Sequence, residues 1–70
     1  MNTFEFELRL KKGYLVEMEN DVPLCSPERG DATRFTRYTS RNTLRKLSRL
    51  GYDVDVLPIK VIRYKTKLSM

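Results

Sequence analysis

Thr39-Ser40-Arg41-Asn42-Thr43-Leu44-Arg45-Lys46-Leu47-Ser48-Arg49-Leu50-Gly51 is the stretch around which the rest of the chain must fold. With about 100° per residue and Arg45 at zero, Leu44, Leu47 and Leu50 fall at roughly 260°, 200° and 140°. Arg41, Arg45 and Arg49 fall within about 40° of zero. One face is leucine and the opposite face is arginine, the pattern of a helix laid on a core. Each leucine, once fully buried, contributes about 1.5–3 kcal/mol. Thr39 or Ser40 can cap the start, where a hydroxyl accepts from a free amide of the first turn. Gly51 suits the left-handed residue that closes a helix, and Arg49 suits the last turn.

Upstream, Thr3 to Leu10 alternates, with Phe4, Phe6, Leu8 and Leu10 on one side and Thr3, Glu5, Glu7 and Arg9 on the other. That is the signature of a half-buried strand. Lys11-Lys12-Gly13 then reads as a short hairpin loop in which Gly13 takes a positive φ. Tyr14 to Glu19 returns as a second strand, with Tyr14, Val16 and Met18 expected inward. In that register Leu10 faces Tyr14, and Glu5–Glu19 and Glu7–Glu17 become cross-strand pairs of like charge. Such a quartet calls for a neighbouring base. Lys60 in the same chain is the expected one, and the arginine row of a second molecule is the rival. Asn20 to Asp31 reads as a loop, because Pro23, Pro27 and Gly30 interrupt any pattern. Within it, Arg29-Gly30-Asp31 spells an adhesion tripeptide and is taken as a chance match. Ala32 to Thr39, rich in threonine and aromatics, reads as a short third strand. In the alternative the helix begins near Thr33, and Arg34 and Arg37 join the arginine stripe.

Downstream, Tyr52 to Lys67 reads as a long extended segment. Pro58 marks an edge position, a bulge or a break into two strands. Ile59 and Val61 are expected to face the helix, with Lys60, Ile62 and Tyr64 on the other side. The tail from Lys65 to Met70 reads as basic and frayed. The fold expected is α+β: a small, mostly antiparallel sheet with a single amphipathic helix on one face. It comprises an N-terminal β-hairpin, a possible short third strand and a long C-terminal strand. Residues 1–70 form one small basic domain. One helix covers one face, so the second is either solvated or an interface.

The chain carries 14 basic and 9 acidic residues, a net charge of +5. Residues 1–31 hold four bases against seven acids, a net −3; residues 32–70 hold ten bases against two acids, a net +8. A half so rich in base suggests a polyanion or an acidic protein surface as partner. Cys25 is the single cysteine, so no internal disulfide forms. No apolar run approaches the ~18 residues of a membrane span, and the acidic N-terminal stretch lacks the features of a signal peptide. The expectation is a soluble, cytoplasmic protein, monomeric or weakly dimeric, with no membrane partner.

With no histidine in the chain, the usual neutral-pH base and the commonest metal ligand are missing. Cys25 has no histidine to activate it, and Gly13, Gly30 and Gly51 form no phosphate-binding loop. No enzymatic activity, cofactor, metal or small-molecule substrate is expected. Binding is the sharper reading. Arg41, Arg45 and Arg49 stand about 6 Å apart along a helix, and the expected contact set is Arg34, Arg37, Tyr38, Arg41, Arg45, Lys46, Arg49, Arg63 and Lys65. Arginines with interleaved aromatics pair phosphates and stack on bases. The alternative is a small inhibitor or adaptor, of the kind that phages and mobile elements encode. It would dock on an acidic surface of a larger nucleic-acid-processing or defence machine.

Overall fold

The computed structural model describes residues 2–62. Four strands and one helix follow in order: β1 (Asn2–Leu10), β2 (Gly13–Glu19), β3 (Val22–Ser26), a turn of 3-10 helix (Arg29–Asp31), α1 (Arg37–Arg49) and β4 (Asp55–Ile62). The sheet is antiparallel in the order β3-β2-β1-β4, with α1 packed on one face. The expected α+β architecture is therefore present. Arg63, Tyr64 and the basic tail from Lys65 onward lie outside the described residues.

The hairpin differs from expectation by one residue. Leu10 pairs with Gly13 and Arg9 with Tyr14, so the loop is the two residues Lys11 and Lys12. A one-residue slip exchanges the two faces of a strand. Leu15, not Tyr14 or Val16, is consequently buried beside Leu8. A bulge between Leu15 and Glu17 then restores the alternation, and Met18 still packs against the core. Gly13 serves a close approach rather than a three-residue loop. Its φ is +138°, and a Cβ there would lie 2.8 Å from the carbonyl carbon of Ser26 on β3.

The third strand lies inside the expected loop. Asn20 and Asp21 take left-handed φ values of 50° and 63° and form a two-residue turn between paired Glu19 and Val22. Both prolines are tolerated: β3 is an edge strand, where a missing ladder donor costs little, and Pro27 lies beyond its end. The expected strand over 32–39 is reduced to one bridge. Phe6 and Phe35 exchange backbone hydrogen bonds of 2.9 and 2.7 Å. Thr33 donates its N–H to Leu15 at 3.1 Å and its hydroxyl to the Val16 carbonyl. Residues 33–35 thus tie β1 to β2 beyond the hairpin end.

The helix starts at Arg37, capped by Thr36 rather than by Thr39 or Ser40. The Thr36 hydroxyl accepts from the Thr39 amide at 3.1 Å, and the Thr39 hydroxyl accepts from the Thr36 amide at 3.0 Å. Two free donors are satisfied reciprocally, the arrangement of a capping box. Ser40 is instead buried and donates to the Arg37 carbonyl. At the far end Gly51, with φ +93°, donates to Ser48, and Tyr52 donates to Leu47. That is the expected glycine closure, in Schellman form. Leu47 joins Leu8 and Leu15 as fully buried core. Leu50, expected inward, is 44% exposed because it forms the cap itself.

β4 pairs with β1 along its whole length, from Asn2–Ile62 to Arg9–Asp55. Directly opposed residues share a face. Leu8 pairs with Val56, Phe6 with Pro58 and Phe4 with Lys60, so these six lie on the helix side. Glu5 pairs with Ile59 and Thr3 with Val61, so Ile59 and Val61 face away from the helix and Lys60 lies on its side, the reverse of expectation. Of the three options for Pro58, the edge position holds, and the strand is unbroken.

Candidate nucleic-acid interface

The reading of the arginines turns on what each one touches. α1 contains Arg37, Arg41, Arg45, Lys46 and Arg49 and no acid. Packing of Ser40 and Leu47 against the core turns Tyr38, Arg41, Arg45 and Arg49 outward, and all four are exposed. Arg37 and Arg41 also rim a groove of about 290 Å³ whose floor is Phe6, Leu44 and Val56. Tyr38 is 74% exposed, an uncommon position for an aromatic ring with no packing role. Lys46 pairs with Asp21 at 2.8 Å, with both side chains more than half exposed. Among the described residues Arg37, Arg41, Arg45 and Arg49 make no ion pair.

Arg34 stands apart. It lies on the opposite sheet face, with Nε 3.7 Å from Glu7 and Nη1 3.4 Å from Glu5. Arg29 joins it, its Nε donating to Glu7 at 2.9 Å while its guanidinium lies 5.9 Å from the Tyr14 ring centre. Glu7 is only 3% exposed, so its charge depends on these two partners. A third pair on this face, Arg9 with Asp55 at 3.1 Å, raises the Arg9 pKa, chiefly through that hydrogen bond. The second face of the sheet is thus partly covered from within. Within the chain, Arg29 answers Glu7 and Arg34 reaches both Glu5 and Glu7, whereas Lys60, the expected base, lies on the helix side of the sheet. The expected quartet does not form, because β1 pairs with β2 only at Arg9–Tyr14 and Leu10–Gly13, and beyond that residues 33–35 bond to both strands. Within the adhesion-like tripeptide, Arg29 is held by Glu7 and Asp31 accepts from the Ser26 hydroxyl.

The structure therefore groups Arg37, Tyr38, Arg41, Arg45, Lys46 and Arg49 on one helix and separates Arg34 from them. Arg63 and Lys65 lie outside the described residues. The groove floor was not legible as a site. Phe6 reads as core by alternation, and Val56 falls on the side of β4 expected to face away from the helix, so only the register of β4 brings the two together. Burial pushes the Cys25 thiol up, opposed in lesser measure by Lys12, which leaves it a poorer nucleophile than an ordinary cysteine. Among the described residues no group of three or more acids and cysteines is placed to hold a metal, and no helix is long and apolar enough to cross a membrane. Comparison with family models, curated proteins and solved structures gives no match to this chain.

Proposed function

We propose that this chain is a non-enzymatic binding module that grips the phosphate backbone of nucleic acid through the outer face of α1. Arg37, Arg41, Arg45 and Arg49 supply the charge, with Lys46 and Tyr38 beside them. One observation carries the reading. Of the seven described arginines, the three outside the helix are ion-paired within the fold, and the four on the helix are not. A row of exposed guanidinia about 6 Å apart matches a repeating anion better than a single one. Guanidinium forks also bind phosphate oxygens two at a time. The single reduced cysteine suits a cytoplasmic setting.

The test is direct binding of labelled DNA and RNA at low salt by the wild-type protein and by Arg41→Ala/Arg45→Ala/Arg49→Ala. We expect tight binding by the first and near-complete loss in the second, with an unchanged helical circular dichroism signal. Equal binding by both proteins, or none by either, contradicts the proposal. In the second case the row is open to an acidic protein groove, as in an inhibitor or adaptor of phage or mobile-element type. A partner that survives nuclease treatment of a pull-down identifies that outcome.

A further inference from the structure

The groove beside the arginine row has a chemistry that phosphate contacts alone do not use. Its floor is Phe6, Leu44 and Val56, and its rim is Arg37, Ser40 and Arg41, with no acid among them. Phe4 continues the same face two residues from Phe6 and is 51% exposed, opposite the exposed Lys60 of β4. An open aromatic surface beside guanidinia with no carboxylate partner offers a stacking face and an anion site side by side. At about 290 Å³ the groove lies at the small end of ligand pockets. It has room for one ring system rather than for a folded element. A nucleotide meets both demands, because its base can stack on an aromatic face while its phosphate meets a guanidinium.

A duplex cannot use this groove, since its base faces are hidden in the stack. We infer that the ligand is single-stranded nucleic acid, with a base stacked on Phe4 or Phe6 and the adjoining phosphates on Arg37 and Arg41. The inference rests on the reading of the arginine row given above and adds the bases to it. Charge alone would favour the other choice. Duplex DNA has the higher charge density and releases more counterions per contact, about 0.9 against 0.7 for a single strand. A preference for the single strand therefore reports contact with bases.

Fluorescence anisotropy at one salt concentration tests this with four probes. They are a short labelled DNA strand, its duplex, the same strand with internal abasic sites, and a phenylalanine-containing polyglutamate peptide. We expect the intact strand to bind about tenfold or more tighter than the duplex and the abasic strand. Phe4→Ala combined with Phe6→Leu should lose at least about fivefold on the intact strand and nothing on the abasic one. Equal binding of intact, abasic and duplex DNA overturns the base contact but leaves the arginine row standing. No binding to any nucleic acid at low salt overturns both. Tighter binding of the peptide than of the strand overturns the inference in favour of an acidic protein segment.

Discussion

The two faces of this small protein treat arginine in opposite ways. On the outer face of the sheet, Arg29 and Arg34 converge on the buried Glu7, and Arg9 holds Asp55. On the outer face of α1, Arg37, Arg41, Arg45 and Arg49 meet no carboxylate among the described residues. Arg34 and Arg37 are three residues apart in the chain, yet they fall on opposite sides of this division. The difference teaches that local density of base does not locate an interface. What separates the two sets of arginines is whether the fold itself supplies the counter-charge. A guanidinium with a carboxylate partner has work to do in the folded state, and one without is available to a ligand.

The two faces share one core, and the largest expected effect lies there. Leu47 is fully buried against Leu8 and Leu15, so Leu47→Ala should cost about 2–5 kcal/mol in chemical denaturation. For a domain this small that loss approaches the whole stability. A cost no greater than that of an outward arginine would mean that the wrong side of α1 is buried.

Next comes the paired face. Arg29→Ala/Arg34→Ala strips Glu7 of both partners and should cost about 3 kcal/mol, the low end of the range for orphaning a buried charge. The low end applies because both guanidinia are about half exposed, at 56% and 51% of their side-chain surface. If Glu7→Gln added to the double variant restores stability, the orphaned carboxylate is the cause. A melt indistinguishable from wild type would erase the distinction between the faces. The smallest effect belongs to the unpaired face: Arg45→Ala should change stability by under about 0.5 kcal/mol. A larger loss would mean that Arg45 has a structural partner after all.

Much of the fold was legible in the sequence because its strongest signals are local. Leu44 and Leu47 against Arg41, Arg45 and Arg49 announce the helix and its orientation, and Gly51 announces its end. The faultless alternation from Thr3 to Leu10 announces β1. The errors arose where two local rules competed. Gly13 reads equally as part of a three-residue loop or as the first residue of β2, and one residue of slip exchanged Val16 for Leu15. Asn20-Asp21 carries the chemistry of a two-residue turn, but Pro23 and Pro27 mask the short edge strand β3 that follows it. Thr36 and Thr39 are three apart, the spacing of reciprocal capping, yet weak helix propensity over 36–43 drew the helix start later.

The site was legible in its charge and not in its grouping. The helix period places Arg41, Arg45 and Arg49 together without help from the tertiary fold. Nothing local distinguishes Arg34 from Arg37, because the partners of Arg34 are Glu5 and Glu7, nearly thirty residues away in the chain. The open floor depends on the pairing of β1 with β4, the most distant strand contact in sequence among the described residues.

The most direct test of the central claim compares the two kinds of arginine in one experiment. Nucleic-acid affinity is measured against salt for wild type, for Arg41→Ala/Arg45→Ala/Arg49→Ala and for Arg34→Ala, which leaves Arg29 on Glu7. If the helix row engages three phosphates, the triple variant should lose a log–log slope of about 2.1 on a single strand and about 2.7 on a duplex. Arg34→Ala should keep the wild-type slope, since its charge is already answered within the fold. A triple variant with the wild-type slope, or an Arg34→Ala protein that loses as much as the triple variant, would contradict the account.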